Sequence, residues 1–384
     1  MKKILFVIDS LGRGGAERAL VDLLGSLDPK RYEAELLTIF AGGELAEELP
    51  AGLRRSSLLP DQDKEPRLAW VAKAALRRIE GRILRSRLER DGARRLMAKV
   101  APGRYDIVVS FLEGMSTYLV SKAAIDCGRR VAWVHIDLAM HESSFFGKKI
   151  CFEVYRGYDA IGVVSQAALE SFGRLSGDTA ISGKARLAPM PVDADRVLAL
   201  SKAGMDLPLD LPIAAIVARL EPQKRVDRAI RAHAAIRGRG LVHRLAIAGD
   251  GSEKYRLEEL ARELGVKESV LFLGSIPNPY PLMRLASLVV LSSDYEGLSL
   301  VVAEAMLLGK AILSTATAGP PELLAGGRYG RICPINDEAF EAAMEELLRD
   351  DEARGAYERA LREDRNKLPI RTDFSEILAL IEGA

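Results

Sequence analysis

The chain has 384 residues, 48% of them hydrophobic and 28% charged, which suits two domains of roughly 150 to 200 residues, each with its own core. Its 55 Lys and Arg nearly balance its 54 Asp and Glu, for a formal charge of +1. That excludes a protein that grips nucleic acid through its whole surface. Three cysteines, Cys127, Cys151 and Cys333, lie far apart with none of the short spacings of zinc or thiol-redox sites, as expected of reduced thiols in the cytoplasm.

At the N-terminus, Lys2 and Lys3 precede an apolar run that stops at Asp9. The run falls short of the roughly 7 to 15 residues of a signal-peptide core, so it is read as a first strand. No apolar stretch approaches the ~18 residues of a membrane span. A cytoplasmic protein is expected, one that meets a membrane only from its surface. Short Ile-, Val- and Leu-rich runs then recur between amphipathic stretches of helical period, at 4–8, 34–40, 106–111, 131–135 and 160–164. A second series follows at 213–218, 245–249, 270–273, 288–291, 311–313 and 331–333. Such alternation predicts an α/β fold of two doubly wound, Rossmann-like domains, whose facing carboxyl edges form a central cleft.

Pro189, Pro191, Pro208 and Pro212 punctuate the connection between the two series. The boundary is placed near Leu207, giving one domain over 1–206 and a second over 207–370. Phe374, Ile377, Leu378 and Ile381 have helical spacing. The terminal segment 371–384 therefore reads as a helix that packs either on its own domain or on the first one.

The most informative segment runs from Ser293 to Gly309, SDYEGLSLVVAEAMLLG, following an expected strand and entering an expected helix. A strand-to-helix turn offers backbone N–H groups and the positive end of a helix dipole, both suited to a diphosphate. Glu296 sits in the turn and Glu304 about one turn into the helix, so both carboxylates can serve one ligand. The alternative is a first-turn acid and a solvated helix residue. The first strand of the second series leads likewise into Val217-Ala-Arg219-Leu-Glu-Pro-Gln-Lys224. Arg219 and Lys224 are two cations able to neutralise a departing nucleotide diphosphate, the arginine as a planar fork and the lysine as a point charge.

These segments, with Ala248-Gly-Asp-Gly251, resemble the retaining glycosyltransferases of family 4, which have the GT-B fold, and among them the enzymes that build bacterial surface polysaccharides. The resemblance implies a nucleoside-diphosphate sugar as donor, with no resident cofactor and no metal. Glu296 would contact the donor sugar near its reacting carbon and Glu304 the ribose hydroxyls. Arg219 and Lys224 would hold the diphosphate, and the backbone N–H groups of Leu298 and Ser299 would cap it.

In the N-terminal half, Leu11-Gly-Arg-Gly14-Gly15-Ala-Glu-Arg joins the first strand to the first helix. Adjacent glycines let backbone approach a phosphate or sugar closely, although the spacing is not the Gly-x-Gly-x-x-Gly fingerprint. By the resemblance, Gly14 and Gly15 line the cleft opposite the donor diphosphate. Phe111-Leu-Glu113 and Trp133-Val-His135-Ile-Asp137 each end a strand. An imidazole there can hydrogen-bond a sugar hydroxyl or take a proton, and a buried structural histidine is the alternative. The resemblance turns His135 toward the donor sugar, as a catalytic group beside Glu296, and puts Glu113 and Asp137 on the sugar or acceptor side. His141, His233 and His243 form no ligand spacing. Asp61-Gln-Asp63 and Asp193-Ala-Asp195 match a metal-binding Asp-x-Asp by letter, but both stand in loop contexts and neither is read as a metal site.

Residues 64–99 carry twelve basic and four acidic side chains, a local charge of +8, and an apolar stripe through Leu68, Ala72, Leu76, Ile79 and Ile83. A basic amphipathic helix with Trp70 near its start reads either as an element docked on an anionic membrane or as a helix packed on its own domain with a solvated face. The function expected from these readings is metal-independent, retaining transfer of a hexose or N-acetylhexosamine, with UDP as the expected carrier, to a lipid-linked or saccharide acceptor in surface polysaccharide or lipopolysaccharide synthesis. A sugar-nucleotide epimerase or hydrolase, or an inactive binding module of the same fold, is the alternative.

Overall fold

The computed structural model describes residues 1–59, 100–123, 125–139 and 152–384. The basic segment 64–99, with Asp61, Asp63, His141 and Cys151, lies outside the described residues. The chain divides into two compact units, residues 1–190 with 374–384, and residues 191–373.

The first unit is a seven-stranded sheet of β1 (Lys2–Ile8), β2 (Tyr32–Phe40), β3 (Arg54–Leu59), β4 (Tyr105–Ser110), β5 (Cys127–Val134), β6 (Ala160–Val163) and β7 (Ala185–Leu187). Spatial order is β3-β2-β1-β4-β5-β6-β7, and every neighbouring pair is parallel. The central strands are apolar on both faces because helices cover both, and Ile4 through Ile8 are all buried. Leu119, Val120 and Phe172 from covering helices join Val7, Val108 and Val134 in its core. The periodic runs locate five of these strands. The edge strands β3 and β7 were not expected: Arg54-Arg-Ser-Ser is charged and largely exposed, and β7 has three residues, two of them exposed. Both departures suit strands with one free side.

The terminal helix Ser375–Glu382 belongs to this unit, which resolves the choice left open by its spacing. Ile377 and Ile381 are fully buried. The Tyr32 hydroxyl donates to Glu382 Oε1 at 2.7 Å, and Arg129 Nε donates to the Ile381 carbonyl at 3.1 Å.

The second unit has six parallel strands, β8 (Ile213–Val217), β9 (Arg244–Ala248), β10 (Val270–Gly274), β11 (Leu288–Leu291), β12 (Ile312–Thr315) and β13 (Arg331–Cys333). Their order is β10-β9-β8-β11-β12-β13. On one face the helices Val226–Gly238 and Asp337–Arg349 pack through Ile230, Ile236, Phe340 and Leu347. On the other, the helix Leu300–Leu307 inserts Val302, Ala303 and Met306. Val197, from the helix Ala194–Leu200, packs into that second cluster. The division between units therefore falls after Met190 rather than near Leu207. Asp193 caps the same helix, its carboxylate accepting the Arg196 N–H at 2.9 Å.

Strand order reverses between β1 and β4 in the first unit, and between β8 and β11 in the second. Ligands of open α/β sheets bind outside the carboxyl ends of the strands at such a reversal. The residues after β1, β4, β8 and β11 therefore define where chemistry belongs.

Candidate active site

In the second unit, the segments after β8 and β11 are sewn together. Lys224 Nζ lies 2.6 Å from Glu296 Oε1, and Ser293 Oγ donates to the same oxygen at 2.5 Å. Glu296 is only 6% exposed, so its charge is met by a cation and a hydroxyl rather than by bulk water. Gln223 Nε2 donates to the Tyr295 carbonyl at 2.7 Å, the Asp294 N–H to the Gln223 carbonyl at 2.9 Å, and Ser292 Oγ to the Lys224 carbonyl at 2.8 Å.

Arg228 reinforces this seam. Its guanidinium is 3% exposed and donates to the Ser292 carbonyl at 2.7 Å, to Asp294 at 2.9 Å and to Asp337 at 2.7 Å. A guanidinium so enclosed requires every donor direction to be used. It fixes the base of the turn that carries Glu296.

Arg219 follows β8, remains exposed, and lies close enough to Tyr295 to influence its hydroxyl electrostatically. Leu298 and Ser299 lead into the helix Leu300–Leu307, with Ser299 at φ 67°. The first N–H groups of a helix lack intrahelical partners, and this end faces the same edge as Lys224 and Glu296. Glu304, one turn in, is 9% exposed and accepts a hydrogen bond from the Tyr280 hydroxyl at 3.1 Å. The Ala248-Gly-Asp-Gly251 segment passes directly under the loop after β8. A Cβ on Gly249 would stand 1.8 Å from the Ala218 carbonyl oxygen, so only glycine fits there.

In the first unit, Gly14 and Gly15 begin the helix Gly15–Ser26, with Gly14 at its N-cap in extended conformation. A Cβ at Gly14 would meet only the movable Glu17 carboxylate, so the fold itself does not demand a glycine. Asp9, at the end of β1, accepts the Ser116 N–H at 2.9 Å. Burial raises its carboxyl to about 6. Glu113, past the end of β4, accepts the His135 N–H at 2.7 Å. Burial, helped by the negative charges of Asp9 and Glu17, raises Glu113 to about 7. The His135 ring packs 5.2 Å from Phe111, its Nε2 is buried with no hydrogen-bond partner, and desolvation lowers it to about 4. It is neutral at pH 7 and can accept or donate one hydrogen bond.

The expected residues are thus gathered in two groups: Lys224 with Glu296, beside Arg219, Leu298, Ser299 and Glu304, and Glu113 with His135 beside the glycine turn. Asp137 stands apart in role. Its Oδ1 accepts Ser171 Oγ at 2.5 Å and the Ala139 N–H at 2.9 Å, so that oxygen is engaged in shaping its own loop. His233 and His243 are fully buried and bonded ring to ring at 2.8 Å. Ser293, Tyr280, Arg228 and Asp9 were not singled out in the sequence. The Ser293 and Asp294 letters lie inside the segment that carries Glu296, but Tyr280 and Arg228 join the site only through tertiary placement.

Two parallel, doubly wound sheets with their polar groups at the strand reversals define the GT-B class of fold. Residues 201–364, all within the second unit, match the family described as "Glycosyl transferases group 1". The chain is 32% identical over 160 residues to the "Lipopolysaccharide core biosynthesis glycosyltransferase LpsE" of Rhizobium meliloti, covering 41% of this chain and 46% of that protein. It is 31% identical over 158 residues to a Campylobacter jejuni enzyme named "N-acetylgalactosamine-N,N'-diacetylbacillosaminyl-diphospho-undecaprenol 4-alpha-N-acetylgalactosaminyltransferase", covering 41% of this chain and 42% of that one. The chain spans less than half the length of the relatives it matches. Among solved structures, Anabaena HepE in complex with UDP and glucose is similar in fold, at a TM-score of 0.72 and 18% identity over 100% of this chain and 98% of that one.

Proposed function

We propose that this protein is a retaining glycosyltransferase of family 4 that moves a hexose or N-acetylhexosamine from a UDP-sugar to a lipid-linked or saccharide acceptor in cell-surface polysaccharide or lipopolysaccharide synthesis. The observation that carries this reading is the Lys224–Glu296 pair, 2.6 Å apart, at the strand reversal of the unit that matches glycosyl transferases group 1. In the reaction, the bond from the sugar's anomeric carbon to the diphosphate oxygen breaks and its electron pair leaves with the nucleoside diphosphate. The acceptor hydroxyl forms the new bond on the same face and gives up its proton to the departing diphosphate oxygen.

Arg219 and Lys224 neutralise the leaving diphosphate in place of a metal ion, aided by the N–H groups at Leu298 and Ser299. Glu296 orients the sugar, and Glu304, steadied by Tyr280, accepts from the ribose hydroxyls. His135, neutral and with Nε2 unpaired, takes a sugar hydroxyl, and Glu113 and Asp9 serve the acceptor side. The names of the relatives support a polysaccharide or lipid-linked acceptor, and HepE, solved with UDP, supports the donor. Among the described residues no helix is long and apolar enough to cross a membrane. A cytoplasmic enzyme that reaches membrane-borne acceptors through the +8 segment 64–99 is consistent with that.

The test is release of nucleoside diphosphate from UDP-, GDP- and ADP-sugars with and without a lipid-linked oligosaccharide, followed by linkage analysis of the product. Acceptor-dependent release with retained anomeric configuration is expected. Release that ignores the acceptor would instead indicate a hydrolase.

A further inference from the structure

Beyond β12, the chain passes along the turn that carries Glu296 and touches it at two points. Thr315 Oγ1 donates to the Ser293 carbonyl at 2.6 Å. Gly319 lies so close to the far side of the turn that a Cβ there would stand 2.1 Å from the Gly297 carbonyl oxygen. Thr317 sits midway between these anchor points, 6% exposed, held by its own N–H on the Thr315 carbonyl at 2.8 Å. Its hydroxyl oxygen is buried and has no hydrogen-bond partner among the described residues.

Of the hydroxyls around the Glu296 turn, those of Ser292, Ser293 and Thr315 are committed, to the Lys224 carbonyl, to Glu296 and to the Ser293 carbonyl. That of Thr317 is unspent. A buried hydroxyl without a partner is destabilising, whereas valine fills the same volume with no polar atom. The fold has no use for this hydroxyl, and it stands beside a site built for a polyoxygenated ligand.

We infer that Thr317 is a further donor-binding residue, whose hydroxyl pairs with an oxygen of the diphosphate or of the transferred sugar when the sugar nucleotide is bound. Rotation about Cα–Cβ moves Oγ1 among three staggered wells. A ligand oxygen over the turn captures the hydroxyl in the well that faces it, as donor or acceptor. This assignment rests on the reading of this edge as a sugar-nucleotide site.

The experiment is calorimetric titration of wild type, Thr317→Val and Thr317→Ser with UDP, UDP-glucose and UDP-N-acetylglucosamine, with urea unfolding of each protein. Thr317→Val is expected to unfold at the same or a higher urea midpoint, because no protein hydrogen bond is lost. It is expected to bind about tenfold more weakly, as for one bond to a charged or strongly polar oxygen. Thr317→Ser, which keeps the hydroxyl, stays within about twofold of wild type. Weakening toward both UDP and the sugar nucleotides puts the partner on the diphosphate, and weakening toward the sugar nucleotides alone puts it on the sugar. Either result supports the inference. Unchanged affinity in Thr317→Val overturns it while leaving the proposed function intact, and so does a lowered urea midpoint with unchanged affinity. Failure of the wild type to bind any of the three ligands overturns the sugar-nucleotide reading first, and the role of Thr317 with it.

Discussion

Tyr280 donates its phenol proton to Glu304 Oε1 at 3.1 Å, and both side chains are buried at the edge of the second sheet. The hydroxyl holds one carboxylate oxygen in place. Tyr280→Phe removes that hold. The expected result is a KM for the sugar nucleotide about fivefold higher with kcat nearly unchanged, equivalent to one net hydrogen bond. A drop confined to kcat would remove Glu304 from the ribose.

Lys224 and Glu296 form one unit, so their effects should not multiply. Glu296→Gln and Lys224→Ala are each expected to lower kcat by about 100-fold, as for a single transition-state partner. The double variant should lose clearly less than the product of the two, because each single change strands the other residue in a buried place. Full turnover in Glu296→Gln would sink the assignment of the sugar site. A strictly multiplicative double variant would show that the pair is not coupled in the reaction.

How much of this was legible before the fold was known varies with what each residue touches. The central strands announce themselves because residues such as Ile4–Ile8 and Leu288–Leu291 are buried on both faces. The edge strand Arg54–Leu59 does not, because only one of its faces and one of its ladders are paired. Glu296 and Lys224 sit in strand-to-helix turns and Glu304 in the helix that follows, so local sequence marks them as candidates, and the family resemblance gives them their expected roles. Tyr280 and Thr317 reach the same edge from connections distant in sequence, whereas Arg228, four residues after Lys224, meets Ser292, Asp294 and Asp337 only through the fold. Pro189 and Pro191 flank the division between units, whereas the stretch up to Pro212 belongs to the second unit, drawn there by packing of Val197 and the Asp193 cap.

The terminal helix offers a test of how the first unit is held. Ile381 is fully buried against it, and Glu382 accepts from Tyr32 and pairs with Lys2 at 3.1 Å. Ile381→Ala is expected to lower the stability of that unit by about 3 kcal/mol, the usual loss for a large aliphatic side chain in a packed core. Binding of UDP through Arg219, Lys224 and Glu304 of the second unit should persist below the new unfolding transition. If UDP affinity falls in step with helicity, the donor groups depend on the first unit as well.

The last prediction concerns pH. Glu113 titrates at about 7 in the fold against 4.5 when unfolded. Between those values the folded chain binds more protons than the unfolded one, so this residue's contribution to stability falls as pH rises and is fully lost above 7. Asp9, raised to about 6 from 3.8, acts in the same sense. His135 and His233, lowered to about 4 and about 3 from 6.5, act oppositely: their contribution is full above 6.5 and is lost as pH falls. These trends overlap in the wild type, and Glu113→Gln separates them. Glutamine still offers an oxygen to the His135 N–H but does not ionise. The difference in urea midpoint between Glu113→Gln and wild type should therefore grow in favour of the variant from pH 4.5 to 7, then level off. A difference that stays constant over that range would mean that Glu113 ionises as an ordinary solvated carboxylate.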